Sequence, residues 1–321
     1  MSSPWKPTNI LVFGATGVIG KFLIAELAKA KASSSSFGRV AIFTSQNTVD
    51  TKPEAIKNLQ ASGVEIFTGS LDDHERIKEA PFDTIVNAFG RSAILAQIPL
   101  IDLAEQTPTV RRFFASEYGT DVEYDAATSP GEPTHQHKLQ VRAHIREHVK
   151  RLEYTYLVTG PYADLYLGAT KFAPQTGSFD VKARRAVVLY ERGKTRPVSL
   201  TSMVDVGRLL VAALQRPDVS CNRALKVNSF TATPDEIVAE FERQTGGSTW
   251  EVEATPRDEL VRLEKKAYEE KNPVAAVFTL RRIWADGQTL YKKRDNEELG
   301  VTETETLQGA VKQSIQQQTA A

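Results

Sequence analysis

The sequence predicts an α/β fold: a doubly wound parallel sheet with helices on both faces, followed by a smaller mixed α/β lobe. Three observations carry this. Through the first half, short apolar runs alternate with longer amphipathic stretches, the pattern of strands buried on both faces and joined by crossover helices. A glycine-rich turn lies between the first apolar run and the first amphipathic stretch. Beyond Gly160 the alternation gives way to mixed strands and helices. With 321 residues, the chain has material for one large domain or two smaller ones.

In order, the strands are expected at Ile10–Phe13, Val40–Phe43, Val64–Phe67, Thr84–Ala88, Arg112–Phe114 and Thr155–Val158. The helices between them are expected at Val18–Ala30, Pro53–Gln60, Asp73–Glu79, Ala93–Gln106 and Thr134–Lys150, each with apolar residues at helical spacing. The Ser33–Ser36 run reads as a short flexible insertion. In the second half, Ala186–Tyr190 and Val198–Ser202 read as strands joined by a turn at Gly193, with further strands at Arg223–Val227 and Trp250–Ala254. Helices are expected at Val204–Leu214, Pro234–Gln244, Arg257–Glu269, Val274–Trp284 and Thr304–Ile315, and the Gln316–Gln318 run as a frayed tail. The expected division is a nucleotide-binding domain over 1–160 and a substrate lobe over 161–321, with elements from about 201–228 returning to the first sheet.

Charge narrows the function classes. Forty Lys and Arg balance forty Asp and Glu, so nothing points to nucleic acid or an anionic membrane. The basic pairs Arg111-Arg112, Arg184-Arg185, Lys265-Lys266, Arg281-Arg282 and Lys292-Lys293 are scattered and read as solvated faces. Cys221, the single cysteine, has no partner for an internal disulfide, and its surroundings suggest a structural or surface thiol. The opening MSSPWKPTN lacks the apolar core of a secretory signal. No apolar stretch approaches the roughly 18 residues needed to span a bilayer. A soluble, cytoplasmic protein is expected, and these patterns set no oligomeric state.

The glycine turn is Gly14-Ala-Thr16-Gly17-Val18-Ile19-Gly20. In that strand-to-helix context one glycine makes the tight turn, the next lets backbone approach a pyrophosphate, and the third lets helix and strand pack closely. The phosphates then sit at the positive helix terminus. This is Rossmann-type dinucleotide binding with GxxGxxG spacing. An NAD site ends its second strand in a carboxylate that holds the ribose. Here that position reads Phe43-Thr44-Ser45-Gln46, with no acid before Asp50. A 2′-phosphate would meet donors from Thr44, Ser45, Gln46 and Lys52 instead, so NADP(H) is the expected cofactor.

Several segments in the correct order then resemble one family across nearly the whole chain. They are the glycine turn, Arg112-Phe-Phe-Ala-Ser116-Glu117-Tyr118-Gly119, Lys138 with Arg142, Thr155-Tyr-Leu-Val-Thr-Gly-Pro-Tyr162-Ala163 and Met203-Val-Asp-Val-Gly-Arg208. The chain resembles the NmrA-like, isoflavone-reductase-like atypical short-chain dehydrogenases, and its Thr48–Lys52 stretch and alternation of lobes look like fungal secondary-metabolism members. The resemblance implies an NADPH-dependent reductase of a small aromatic or alkaloid-like molecule, with the helix lysine, Lys138, handling the proton. It also implies cofactor contacts at Ala88, Phe89, Ser116, Glu117 and Lys138, and substrate contacts at Tyr118, Tyr162 and Tyr166. Two departures stand out. Ala115-Ser-Glu-Tyr-Gly119 replaces the usual Pro-Ser-Glu-Phe-Gly, and Ser45 stands where an arginine often reads the 2′-phosphate.

Lys138 shares a stripe with Val141, Ile145 and Val149, so its ammonium is expected to point inward, where burial and the helix N-terminus lower its pKa. The competing reading is a snorkelling side chain. The Tyr-xxx-Lys of ordinary short-chain dehydrogenases is absent, because Thr134 stands four residues before Lys138. Tyr118 is then either a second proton carrier or a packing aromatic, and Tyr162 walls the pocket. His137, His144 and His148 share a helix face but lack carboxylate or cysteine partners, so no metal is expected, although His137, beside Lys138, is a candidate for the pocket mouth. Ser116 lacks the nucleophile elbow of a hydrolase. Two rivals to net reduction stand: a redox-neutral NADP(H)-dependent isomerase, and a non-catalytic NADP(H)-sensing regulator.

Overall fold

The computed structural model describes residues 5–34, 36–79, 81–191 and 193–320. Ser35 of the serine run and the first four residues of the opening segment lie outside them. Among the described residues there are strands β1 (Asn9–Phe13), β2 (Arg39–Thr44), β3 (Glu65–Thr68), β4 (Thr84–Asn87), β5 (Arg112–Ala115) and β6 (Glu153–Val158). They continue with β7 (Ser178–Asp180), β8 (Arg185–Leu189), β9 (Val198–Leu200), β10 (Arg223–Lys226), β11 (Phe230–Ala232) and β12 (Glu251–Thr255). The main sheet runs β10-β6-β5-β4-β1-β2-β3, every neighbouring pair parallel. Its strand order reverses between β1 and β4, and ligands bind at such a switch point in open α/β sheets.

Side-chain alternation divides the sheet between two cores. Ile10, Val12, Val40 and Ile42 face the helices Gly20–Ser33 and Met203–Gln215 through Leu23, Leu27, Val206 and Leu210. Leu11, Phe13, Ala41 and Phe43 face the other way, toward Leu100, Ile101, Val141 and Ile145. Full burial of such a side chain contributes roughly 1.5–3 kcal/mol, so neither layer of helices can lift without losing several of these contributions.

Part of the second half belongs to the main sheet. Strand β10 continues the main sheet beside β6, and the helix Met203–Gln215 covers the same face as the first helix. A boundary at residue 160 divides the chain but not the sheet. The remainder forms a three-stranded sheet β12-β8-β7 and a two-stranded sheet β11-β9 around Phe179, Val188, Phe241 and Trp250.

Two local expectations need correction. The strands on either side of Gly193 do not form a hairpin: β8 pairs with β7 and β12, while β9 pairs with β11. Asp235 draws the connection away, accepting from the Gly193 N–H at 3.0 Å and the Thr195 hydroxyl at 2.5 Å. The glutamine run is not frayed. The last helix continues to Ala320, and Gln318 accepts from the Val181 N–H at 3.1 Å and donates to the Phe179 carbonyl at 3.0 Å. Among the described residues no helix is long and apolar enough to cross a membrane.

Candidate active site

The glycine turn closes the end of β1 against the end of β4. Gly14 has φ of 73°, and a Cβ there would lie 2.5 Å from the Ala88 carbonyl oxygen. A Cβ on Gly20 would lie 2.1 Å from the Gly14 carbonyl oxygen, so both positions require glycine. The helix Gly20–Ser33 starts with no side-chain cap and no acid in its first turn. Its positive end is therefore uncompensated by the chain, as an anion site requires.

Beside this turn, Lys52 donates to the Thr16 carbonyl and hydroxyl at 3.1 and 3.4 Å. That places a cation at the rim of the glycine loop. The neighbouring donors are less free than the sequence suggested. Ser45 caps the short helix Gln46–Thr51 by accepting from the Thr48 N–H, and the Gln46 amide donates to Asp50 at 2.8 Å. Thr44 ends β2.

A cavity of about 780 Å³ begins at Gly17, Val18 and Ile19, passes Ala88, Phe89 and Ser116, and reaches Tyr166 and Trp284 in the second half. Ser116 is fixed in its wall: its hydroxyl donates to the Phe89 carbonyl at 2.8 Å and its N–H to the Gln97 side chain at 2.7 Å.

Lys138 lies in this wall. Val141 and Ile145 on the same stripe are buried in the core, and the ammonium donates to the Glu117 backbone carbonyl at 2.5 Å. The side chain is buried, so it does not snorkel. Burial pushes its pKa below the ordinary lysine value, the Glu117 carboxylate pulls it back up, and the Arg142 guanidinium adds to the lowering. Glu117 was expected among the cofactor contacts, but its carboxylate is held by both the Nε and Nη2 of Arg142 at 3.0 Å. What Glu117 contributes at the lysine is its backbone carbonyl.

His135 is the neighbour that the sequence reading missed. It lines the cavity three residues before Lys138, while His137 is not among the lining residues. The His135 Nδ1 lies 3.0 Å from the Thr128 carbonyl oxygen, which makes Nδ1–H the donor in the neutral ring. Burial, together with the Lys138 ammonium, pushes its pKa down to about 4, against the pull of Glu132. Glu132 caps the helix Pro133–His148 by accepting from the His135 N–H at 2.6 Å and pairs with Arg91. His144 is bound to Asp102 at 2.6 Å. Among the described residues no three His, Cys, Asp or Glu side chains group as metal ligands.

The three tyrosines take different parts. Tyr118 packs in the first core and lines the cavity, with a buried hydroxyl that has no partner among the described residues. Burial, then Tyr162, raises its pKa further above neutrality, so at neutral pH it is a hydrogen-bond donor. The Tyr162 hydroxyl donates to the Tyr118 carbonyl at 2.6 Å, which ties the two pocket walls together. Tyr166 stacks under the Arg281 guanidinium at 4.2 Å and faces Trp284. Cys221 lies away from the cavity, donates to Glu153 at 3.1 Å, and has its thiol pKa pushed up to about 11 by burial.

Two members of the basic pairs are not solvated. Arg112 is fully buried against Thr155 and Ser220, and Arg281 lines the cavity. Adjacent residues point to opposite sides of a strand and about 100° apart on a helix, so a pair splits between water and interior.

Comparison with known proteins identifies the family and the fold. The chain is 30% identical over 290 residues to an isoflavone reductase homolog of Arabidopsis thaliana, covering 88% of this chain and 89% of the relative. It is 28% identical to a phenylcoumaran benzylic ether reductase of Pinus taeda, covering 80% of each. Its fold is similar to that of a leucoanthocyanidin reductase–NADPH complex from Vitis vinifera, with a TM-score of 0.78, 20% identity, and coverage of 96% of this chain and 99% of that one. The model of the NmrA-like family matches residues 6–282, and the chain belongs to that family.

Proposed function

We infer that this chain is an NADP(H)-dependent oxidoreductase that reduces a small aromatic molecule, with Lys138 positioned to handle the proton. The observation that carries this reading is a buried ammonium in the wall of a cavity that starts at an uncapped glycine-turn helix. The chain fits the cofactor on its own terms. Gly14, Gly17 and Gly20 keep side chains out of the turn, Lys52 sits at its rim, and the buried Tyr118 hydroxyl is left with a hydrogen bond to give. The relatives are reductases by name, and one similar fold holds NADPH.

Bound in this cavity, NADPH would supply the hydride. The chain's own residues do the rest. The Glu117 carbonyl fixes Nζ of Lys138, and Arg142 holds Glu117 in place from behind. Two N–H bonds of the ammonium remain for a substrate oxygen that gains charge during reduction, and a lowered pKa lets the group give up and recover a proton. Tyr162, Tyr166 and Trp284 present an apolar, aromatic wall for the substrate.

The test is consumption of NADPH, followed by loss of the reduced-nicotinamide absorbance, across a panel of phenolic and other aromatic substrates. One NADPH per product is expected. Product without NADPH loss assigns the redox-neutral chemistry instead, and cofactor binding without turnover across the panel assigns the sensor. Lys138→Met should lower kcat by about 10² to 10⁴-fold with cofactor affinity within a few-fold. Methionine matches the stem and removes a desolvated charge, so stability should change little. A variant within a few-fold of wild-type turnover removes Lys138 from the chemistry, and a collapse of cofactor affinity makes it a cofactor ligand.

A further inference from the structure

Arg281 is a buried cation with no carboxylate partner among the described residues, and it lies in the cavity wall. Its exposure is 5%, and among the described residues its guanidinium hydrogen-bonds to Tyr166 alone, the bond to the Tyr166 carbonyl being a long one of 3.4 Å. The guanidinium stacks 4.2 Å from the centre of the Tyr166 ring and 5.8 Å from that of Trp284. Its neighbour Arg282, one residue on, pairs with Glu264 at 2.5 Å. Arg142, equally buried, is satisfied by Glu117, Asp121 and Glu123. Burying a charge with neither a counter-ion nor a full set of acceptors is strongly unfavourable, and stacking on aromatic faces recovers only part of the loss. A guanidinium has five donors in a planar fork shaped for a carboxylate.

The rest of the wall says what kind of molecule would bring that carboxylate. On the same helix, Val277 and Leu280 line the cavity, with Trp284 one turn further on. The single acidic side chain among the lining residues is Glu117, which Arg142 holds. Lys171 adds a further cation to the lining. The surroundings are therefore apolar and aromatic, with an excess of positive charge. Arg281 contacts residues of the second half, Tyr166 and Trp284, and lies on a helix remote in sequence from the glycine turn. Its unmet donors thus belong to the end of the cavity assigned to substrate.

We propose that Arg281 is a specificity-determining residue that receives a carboxylate, so the molecule bound here is an aromatic acid and not a neutral phenol. This deepens the substrate side of the oxidoreductase reading and rests on it for the identity of the site.

The experiment is calorimetric titration of the protein, alone and loaded with NADP⁺, with trans-cinnamate and with its neutral isostere cinnamamide. The acid should bind roughly ten- to a hundred-fold more tightly, the factor expected of a charge-assisted hydrogen-bonded pair. Arg281→Gln should bring the two affinities together, and Arg281→Lys, which keeps the charge but loses the fork, should retain part of the difference. Equal affinities in the wild type, a preference that survives in Arg281→Gln, or no binding of either probe overturns the proposal. Should Arg281→Gln fail to fold, the wild-type acid-to-amide ratio and the Arg281→Lys ratio decide. NADP⁺ affinity is read in the same titrations. Its absence would remove the oxidoreductase reading while the acid-to-amide ratio of the unloaded protein still tested Arg281.

Discussion

His135 is held against the Thr128 carbonyl and next to the Lys138 ammonium, a setting that admits the neutral imidazole and resists the charged one. Above the unfolded pKa near 6.5 the ring is neutral in both states and contributes no pH dependence. As pH falls from there toward about 4, the unfolded chain takes up a proton that the folded ring refuses, so stability declines. The full effect is at most about 3 kcal/mol. His135→Gln keeps a donor for Thr128 and cannot titrate, so its denaturation free energy should fall less between pH 7 and about pH 4 than the wild type's. Parallel pH profiles for the two proteins would show that the ring is not the group responsible. Lys138 was legible in the sequence because a cation interrupts an apolar stripe. His135 was not, because the histidine adjacent to Lys138 in the chain is His137, which lies about 100° away on the helix. The spacing of three between 135 and 138 was the signal that places both on one wall. Arg281 was hidden similarly by its pairing in sequence with the ion-paired Arg282.

At the scale of elements, the helix Met203–Gln215 crosses Gly20–Ser33 at close range at Gly207. A Cβ there would lie 2.7 Å from both the Phe22 carbonyl oxygen and the Glu26 Cγ. The glutamate can swing away, but the carbonyl is fixed by its helix. Gly207→Ala gains about 1 kcal/mol of helix propensity and incurs about 1–3 kcal/mol of overpacking, so the denaturation midpoint should fall. Gly63 is the contrast: φ is 76° and nothing lies within 4 Å of a Cβ, so the constraint is backbone conformation alone. Gly63→Asn, which tolerates that region, should stay within about 0.5 kcal/mol of wild type. A midpoint for Gly207→Ala at or above the wild type's would mean that the two helices are free to move apart. Long periodic elements were legible because many residues vote for one period. Strands β7 and β11 were not, since three residues carry no period; β7 forms by turning directly into β8, and β11 only by pairing with β9 across the intervening helix Met203–Gln215. The false hairpin at Gly193 arose the same way: a local turn signal was outweighed by the tertiary partner Asp235.

Across the whole molecule, the second half grips the loop that carries the site. Trp284 Nε1 donates to the Thr120 hydroxyl at 3.0 Å, the Asp121 N–H donates to the Tyr291 hydroxyl at 3.1 Å, and Tyr124 donates to the Leu290 carbonyl at 3.1 Å. A ligand in the cavity therefore stabilises both halves together, and its binding should be visible in global unfolding. At 100 times its Kd, NADP⁺ should stabilise the folded chain by about 2.7 kcal/mol, or about 4 °C in Tm for a chain of this length. At the same concentration NAD⁺ should shift Tm by about half as much. The reason is Lys52, anchored on Thr16 at the glycine turn, and a β2 end without a carboxylate of its own before Asp50. Because Lys52 is exposed and the Gln46 amide is engaged by Asp50, the preference should be modest, roughly ten-fold in Kd. Lys52→Ala should lower the NADP⁺ shift to the NAD⁺ level and leave the NAD⁺ shift unchanged, since a 2′-hydroxyl offers that lysine no charge to pair with. Equal shifts for the two cofactors in the wild type, or an equal loss for both in the variant, would mean that Lys52 serves the pyrophosphate common to both.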